Sequence, residues 1–498
     1  MTAEADRLAA TYFETGTLPD LPDSHFIDGR WTPPAHGQTM ETFDPGSGRA
    51  YHAFAAGDAD DVAMAVAAAT RAGRDWGKTR PAARGAILAR AALLLRQEAP
   101  RFAVVESLDS GKPLQEAEGD VAGAARAFEY YAAAANTLQG DSFPLGHDYL
   151  GYSMLEPAGL TAHIIPWNYP LSTAARGIAP ALAAGCTVVA KPAEQTPMTA
   201  LMLAELLHRA GLPAGVCNVV TGTGKAAGAP LVRHPAVRHV SFTGSVQTGI
   251  NVMQAAAPNV TRVLLELGGK SPVVVLADAD LDAAVEGILG AIFENAGQIC
   301  SAGSRLVADR RIHDDLLERL VRRARGLKIG HGLKRAQFGP LNSAEHLARV
   351  AAHVEGAKAR GLPIATGGKG AGDPESGEGW FFEPTIIDAA PAADPVVLQE
   401  IFGPVLVVQP FDTEEEALAL ANGTDYGLVA GIYTRDFSAA HRLARDIDAG
   451  QVFINEYFAG GIEVPFGGNR MSGFGREKGL AALEAYSRVK SVAARIGN

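Results

Sequence analysis

From Gly159 onward the chain alternates short β-branched runs with helical stretches, and Pro or Gly follows each run. Leu160 to Ile165, Thr187 to Ala190, Cys217 to Thr221 and His239 to Phe242 read as buried strands, and the text between them, for example Thr196 to Ala210, has helical spacing. A strand covered on both faces needs helices on each side of its sheet. The alternation therefore predicts a doubly wound α/β fold built on parallel strands. A second series opens at Ser271 (SPVVVLADAD), continues through Gly303 to Val307, and returns at Pro404 to Gln409 and Gln451 to Ile454. A chain of 498 residues exceeds what one compact core supports, so two or three domains are expected.

Before the first series, Ala59 to Ala103 and Glu116 to Leu138 read as helices, and Asp141 to Pro157 reads as an extended hairpin. Thr366 to Gly379, rich in Gly and Pro, reads as a surface loop. The net charge of -11 excludes a nucleic-acid partner, because phosphate binding depends on Lys and Arg. The nearest basic block, Arg319 to Arg325, reads as the solvated face of a helix. Acids interrupt the first residues, which excludes a signal peptide, and Ile178 to Ala190 falls short of the roughly 20 apolar residues of a membrane span. Three cysteines far apart in sequence fit a reducing cytoplasm.

No dinucleotide fingerprint of the G-x-G-x-x-G type is present; Gly222 to Gly228 comes close, with one residue too many, and a P-loop is excluded by Ala226 after Lys225. The strand end Phe242-Thr243-Gly244-Ser245 offers backbone N–H groups to a phosphate. Lys191 and Glu194 follow a strand, where ligands bind in open α/β sheets; Glu194 would accept hydrogen bonds from a ribose, and the two read equally well as a solvated turn pair. Cys186 and Cys217 lie in apolar strand text and read as core. Cys300 is flanked by Gly, Gln, Ser and Ala, neighbours that let a carbonyl approach, so a nucleophile and an ordinary loop cysteine both stay open. Glu266 ends an apolar run (VLLELGGKSP) and reads either as a general base with a raised pKa or as the partner of Lys270. Asn168, in PWNYP, presents an amide to an oxyanion or shapes the turn before Pro170. No zinc-ligand spacing accompanies these residues.

Seven segments, in order, resemble the aldehyde dehydrogenase superfamily: IPWNYP (165–170), KPAEQTP (191–197), FTGS (242–245), LELGGKSP (265–272), GQICSAGSR (297–305), EIFGPV (400–405) and PFGGNRMSGFGRE (465–477). The likeness runs from about Ile27 to the C-terminal end. It implies Cys300 as nucleophile, Glu266 as the base for the hydrolytic water, and Asn168 with the backbone N–H of Cys300 as the oxyanion hole. It implies NAD as cofactor, with Lys191 and Glu194 at the adenosine ribose, Gly244 and Ser245 near the pyrophosphate, and Glu400 and Phe402 at the nicotinamide ribose and ring. Ile165, Pro166, Trp167, Gly224, Phe242, Thr243 and Leu267 complete the implied cofactor contacts. A cofactor domain (1–140 and 160–266), a catalytic domain (267–455) and an oligomerisation hairpin with a C-terminal strand (141–159 and 480–498) follow from the same likeness, with a homodimer or homotetramer.

For the substrate side the resemblance points to Tyr169, Arg176, Glu294, Ile299, Ser301, Tyr457 and Phe458. Arg176 would bind a substrate carboxylate bidentately, or stand in an ion pair. Glu294 would neutralise Arg176 or attract a cationic substrate, and Tyr457 with Phe458 would wall the entrance. An aldehyde carrying a carboxylate or an aromatic ring is favoured over a betaine- or aminoaldehyde. A CoA-acylating semialdehyde dehydrogenase, a silent structural protein of the same fold and a hydrolase using Cys300 are the rivals. Glu266 opposes the first, and the presence of both Cys300 and Glu266 opposes the second. The KPAE and EIFGPV segments have no use in the third beyond scaffold.

Overall fold

The computed structural model describes residues 2–496. Residue 1 and residues 497–498, at the two ends of the division expected above, lie outside the described residues. The two predicted strand series form two sheets. The first runs Arg30–Thr32, His25–Ile27, Cys217–Val219, Thr187–Pro192, Leu160–Ile165, Val237–Thr243, Arg262–Glu266, Gly473–Phe474. Its five central strands are parallel, and only the outer pairings are antiparallel. The second runs Ile364–Thr366, Thr385–Ile387, Val405–Phe411, Arg305–Asp309, Pro272–Val275, Val429–Tyr433, Gln451–Ile454, and is parallel except at its first pair.

Strands such as Thr187–Pro192 and Pro272–Val275 are buried at every position, as expected for sheets with helices on both faces. A third, antiparallel sheet joins Ser142–Phe143 to Tyr149–Pro157 and then to Ser487–Arg495, over 300 residues away in sequence.

Two local expectations are corrected. The strand predicted to reach Thr221 stops at Val219, because Thr221 Oγ1 donates to Ala55 O and meets His25 Nδ1 instead of continuing the ladder. The loop predicted from Thr366 contains a short strand, Gly370–Ala371, paired with Phe381–Phe382. The chain before Ala59, where no element was expected or excluded, holds a helix, Thr2–Thr15, and four short strands, with Tyr12 Oη donating to Asp44 at 2.7 Å.

Among the described residues no helix is long and apolar enough to cross a membrane. Arg305 ties the elements of the second sheet together. It is buried, and its guanidinium donates to Lys270 O, Leu420 O and Ala421 O, so it caps the C-terminal end of the helix Glu414–Ala421.

Candidate active site

Cys300 sits past the end of the helix Leu281–Phe293, after a tight turn over Glu294–Gly297. That turn is unusual in its backbone: Asn295, Ala296 and Gly297 have φ of 47°, 52° and 72° in succession. Two consecutive non-glycine residues in the left-handed region are costly unless the surroundings hold them there. The surroundings do. Glu116 accepts the Asn295 N–H at 2.9 Å, the Asn295 amide donates to Asn168 O at 3.0 Å, and Gln298 Nε2 returns to Asn295 O at 2.9 Å. Gln298 is itself fixed by the Asn342 N–H. Gly269 has no room for a side chain, since a Cβ there would stand 2.7 Å from Cys300 O.

Cys300 lines a cavity of about 240 Å³ together with Asn168, Tyr169, Arg176, Thr243, Glu294, Ile299, Ser301 and Phe458. Its surface is partly exposed there, while the two other cysteines are buried as predicted. Desolvation pushes the Cys300 thiol up to about 11, and the Arg176 guanidinium opposes that rise. One amide hydrogen of Asn168 is committed to Gln298 O at 2.8 Å, which fixes the side chain and leaves its second hydrogen for the cavity.

Glu266 closes the parallel strand Arg262–Glu266, opposite Thr243 on one side and Gly473 on the other. It is buried, and neither carboxylate oxygen has a hydrogen-bond partner among the described residues. Burial first, and the nearby Glu477 second, hold its carboxyl well above the usual range, while Arg176 opposes them. The Lys270 pairing left open by the sequence is not formed: Lys270 Nζ is buried without a partner among the described residues, and burial brings it down to about 7.

Most of the residues expected at a cofactor lie at or just past the ends of strands in the first sheet, while Glu400 and Phe402 precede a strand of the second. Lys191 donates to Glu194 at 3.1 Å and to Gly222 O at 2.9 Å, so the two do form a turn pair. At Gly224 an added Cβ would meet nothing within 4 Å. Ser245 caps the helix Val246–Ala256 through the Thr248 N–H, and the Gly244 N–H is held by Glu266 O. Phe242 lies against Gly244, and Leu267 against Gly249. Ile165 and Pro166 end the central strand and lead into Trp167, whose ring meets Phe402 edge-on at 5.3 Å. Phe402 has φ of 58° and its carbonyl accepts from His346 at 2.7 Å. Glu400 accepts the Gly269 N–H at 2.9 Å, and burial raises its carboxyl to about 7.

Two substrate-side expectations change. Arg176 does not pair with Glu294; it forms an ion pair with Glu477, and its guanidinium lies 5.3 Å from the Phe466 ring centre. Tyr457 does not wall the entrance. It is buried behind Cys300's neighbours, with its hydroxyl donating to Ser301 O at 3.0 Å, and only Phe458 of the pair faces the cavity. Glu294 instead accepts the Tyr169 hydroxyl at 3.4 Å. Asp120, Phe466 and Lys478 also line the cavity and were not singled out from sequence. Phe466 lies inside a matched segment and Lys478 directly after one, but no local pattern says that they face Cys300.

A family model described as the aldehyde dehydrogenase family matches residues 31–492. The betaine aldehyde dehydrogenase of Bacillus subtilis is 42% identical over 94% of this chain and 96% of its own length. The hydroxyisobutyraldehyde dehydrogenase of Mycolicibacterium austroafricanum is 41% identical over 99% of this chain and 95% of its own. Among solved structures, the betaine aldehyde dehydrogenase of Staphylococcus aureus in complex with NAD+ superposes with a TM-score of 0.94 at 36% identity, covering 96% of this chain and 98% of that one. The indole-3-acetaldehyde dehydrogenase of P. syringae in complex with NAD+ gives 0.95 at 38%, covering 98% and 99%. Full-length likeness in sequence and in fold, with a cysteine and an amide lining one cavity, places the chain in the aldehyde dehydrogenase family.

Proposed function

We propose that the protein oxidises an aldehyde to its carboxylic acid with NAD, through a thioester on Cys300. The observation that carries this reading is the cysteine itself: it is the only thiol among the described residues that reaches a cavity, Asn168 lines that cavity with it, and the buried Glu266 carboxyl is near enough for its charge to raise the thiol. The thiolate of Cys300 attacks the aldehyde carbon and forms the C–S bond, while the free hydrogen of Asn168 and the Cys300 N–H hold the oxyanion. Bound NAD supplies the acceptor for the hydride that leaves this adduct and turns it into a thioester. Glu266 takes a proton from water, the water oxygen bonds to the acyl carbon, and the C–S bond breaks to release the acid and restore the thiolate.

The dinucleotide fits the residues present. The open turn at Gly224 and the helix N-terminus at Ser245 suit a pyrophosphate, Glu194 beside Lys191 suits a ribose, and the Glu400 carboxylate with the Phe402 ring suits the nicotinamide end. A carboxylate at Glu194 repels a 2′-phosphate, which favours NAD over NADP. Residues 1–140 and 160–266 serve as cofactor domain, 267–455 as catalytic domain, and 141–159 with 480–498 as the surface joining subunits of a homodimer or homotetramer in the cytoplasm. The preferred aldehyde carries a carboxylate or an aromatic ring: the cavity presents the cations Arg176 and Lys478 beside the rings of Phe458 and Phe466.

Rapid mixing of enzyme, NAD and aldehyde tests the scheme. Cys300→Ala is expected to lose both the NADH burst and turnover. Glu266→Gln is expected to keep a burst near one equivalent and to lose steady-state turnover by about 10²–10³-fold. Normal turnover by Cys300→Ala defeats the proposal.

A further inference from the structure

Four charged side chains line the cavity around Cys300, and three have a partner. Arg176 is paired with Glu477, Asp120 receives Lys112, and Glu294 accepts the Tyr169 hydroxyl. Lys478 differs from all three: among the described residues no carboxylate lies within 4 Å of its ammonium. The ammonium stands 5.1 Å from the centre of the Phe466 ring, which also carries the Arg176 guanidinium at 5.3 Å. One aromatic ring thus supports two cations on the same cavity wall, and only one of them is neutralised.

The backbone at Lys478 is as unusual as its side chain. It has φ of 59° and ψ of 172°, a region that is almost exclusively glycine's, and Gly479 follows with φ of 58°. Elsewhere such residues are held in place where function requires them. Here the frame is visible: Phe466 and Glu477 exchange backbone hydrogen bonds at 2.7 Å, and the Gly479 N–H donates to Ile462 O at 2.7 Å. The chain thus keeps a lysine at a glycine-like position and aims it into the cavity. Burial first, and the Arg176 charge second, bring the Lys478 ammonium down to about 8, while Glu477 and Glu266 oppose that fall without any carboxylate contacting the ammonium among the described residues.

We propose that Lys478 is the specificity-determining residue of the aldehyde site, its ammonium on the Phe466 ring receiving an anionic substituent, a carboxylate, of the substrate. The inference rests on the aldehyde oxidation proposed above and selects, between the two substrate kinds named there, the carboxylate-bearing one. It assigns the contact to Lys478, because the charge of Arg176 is already taken by Glu477. The acidic wall does not oppose this choice. Asp120 is compensated by Lys112, and burial with the Asp120 charge favours the neutral form of Glu294.

The test compares kcat/KM for carboxylate-bearing aldehydes (succinic semialdehyde, 5-oxopentanoate, 4-carboxybenzaldehyde) with that for butanal, pentanal and benzaldehyde. Wild type is compared with Lys478→Met, Lys478→Gly and Lys478→Arg. Lys478→Gly suits the backbone found here and guards against misfolding, while Lys478→Met keeps the apolar stem. The expected result is a wild-type preference for the carboxylate member of each pair. That ratio should fall about 10- to 100-fold in the Met and Gly variants and by less than about threefold in Arg, the scale of one charge-assisted hydrogen bond. An absent preference, a preference for betaine aldehyde, or a ratio unchanged in both Met and Gly variants overturns the inference. Calorimetry with succinate separates it from the parent proposal. If wild type oxidised no aldehyde at all, the parent reading would fail, yet succinate binding weakened at least tenfold in Lys478→Met would still support the anion site. Equal binding by both proteins would end it.

Discussion

Glu266 is a carboxyl group without hydrogen-bond donors, packed near a second carboxylate, and it holds its proton past the usual carboxylate range for that reason. Two measurable consequences follow from the one shift. As a base, Glu266 acts only once ionised, so the thioester-hydrolysis rate should climb as pH rises through its elevated folded-state pKa. Single-turnover hydrolysis of an acylated enzyme would show this limb well above the usual value of 4.5, and Glu266→Gln would lack it. A flat profile between about pH 5 and pH 9 would exclude Glu266 as the base. The second consequence concerns stability. A carboxyl whose folded pKa exceeds its unfolded one stabilises the fold fully below the unfolded value and loses that contribution as pH rises toward the folded value. Glu266→Gln has no such loss. Its Tm should therefore match wild type near about pH 5 and exceed it by about 2 °C or more near about pH 9. Thermal scans at the two pH values check the sign.

At the scale of elements, the turn before Cys300 is a left-handed run braced from outside by a helix far away in sequence, Leu114–Ala134, through Glu116. Glu116 makes its contact as an acceptor, and a glutamine keeps that capacity where leucine does not. Glu116→Leu leaves the Asn295 N–H unsatisfied, a cost of about 1–3 kcal/mol borne by the turn that presents the thiol. The NADH burst rate and the rate of Cys300 alkylation should both fall about tenfold or more in Glu116→Leu, and less than about threefold in Glu116→Gln. Unchanged alkylation in the leucine variant would show that the turn holds without the brace.

The same comparison explains what could be read before folding. The buried parallel strands were legible because most are short apolar runs rich in β-branched residues with Gly or Pro nearby, and nothing distant is needed to see that. The braced turn was not legible, since Asn295 and Ala296 carry no local sign of positive φ and Glu116 lies 179 residues away. The strands of the first 58 residues carry no comparable local pattern: His25–Ile27 is three residues long and exists because an edge of the first sheet accepts it. At the cavity, Cys300, Glu266 and Asn168 were found through segments that match a family. The commitment of Arg176 to Glu477, and the uncommitted charge of Lys478, appear only when residues 300 apart meet.

Over the whole molecule, the three-stranded antiparallel sheet is left open along one long edge within one chain. Ser487–Arg495 pairs with Tyr149–Pro157 along its entire length but forms the sheet edge on its other side. A nine-residue edge strand offers a row of backbone groups to another chain. Apolar side chains are exposed around it, with Leu145 and Leu150 each at 48%, Val489 at 68% and Ile496 at 63%. Charges on this sheet do not blunt it evenly, because Arg488 and Lys490 are both drawn to Glu156. A second copy meeting this edge would continue the sheet and cover the apolar residues in one step, whereas a monomer would leave both in water. Sedimentation velocity at micromolar concentration should thus find wild type as a dimer or tetramer. The double substitution Leu150→Asp with Val489→Asp places like charges on that sheet and should yield monomers, since burying such charges without partners costs more than the contact returns. The cavity around Cys300 contains none of these residues, so the monomer should retain its NADH burst if each subunit folds independently. A wild-type chain that sediments as a monomer, or a double variant that stays assembled, would show that another surface joins the subunits or that none does.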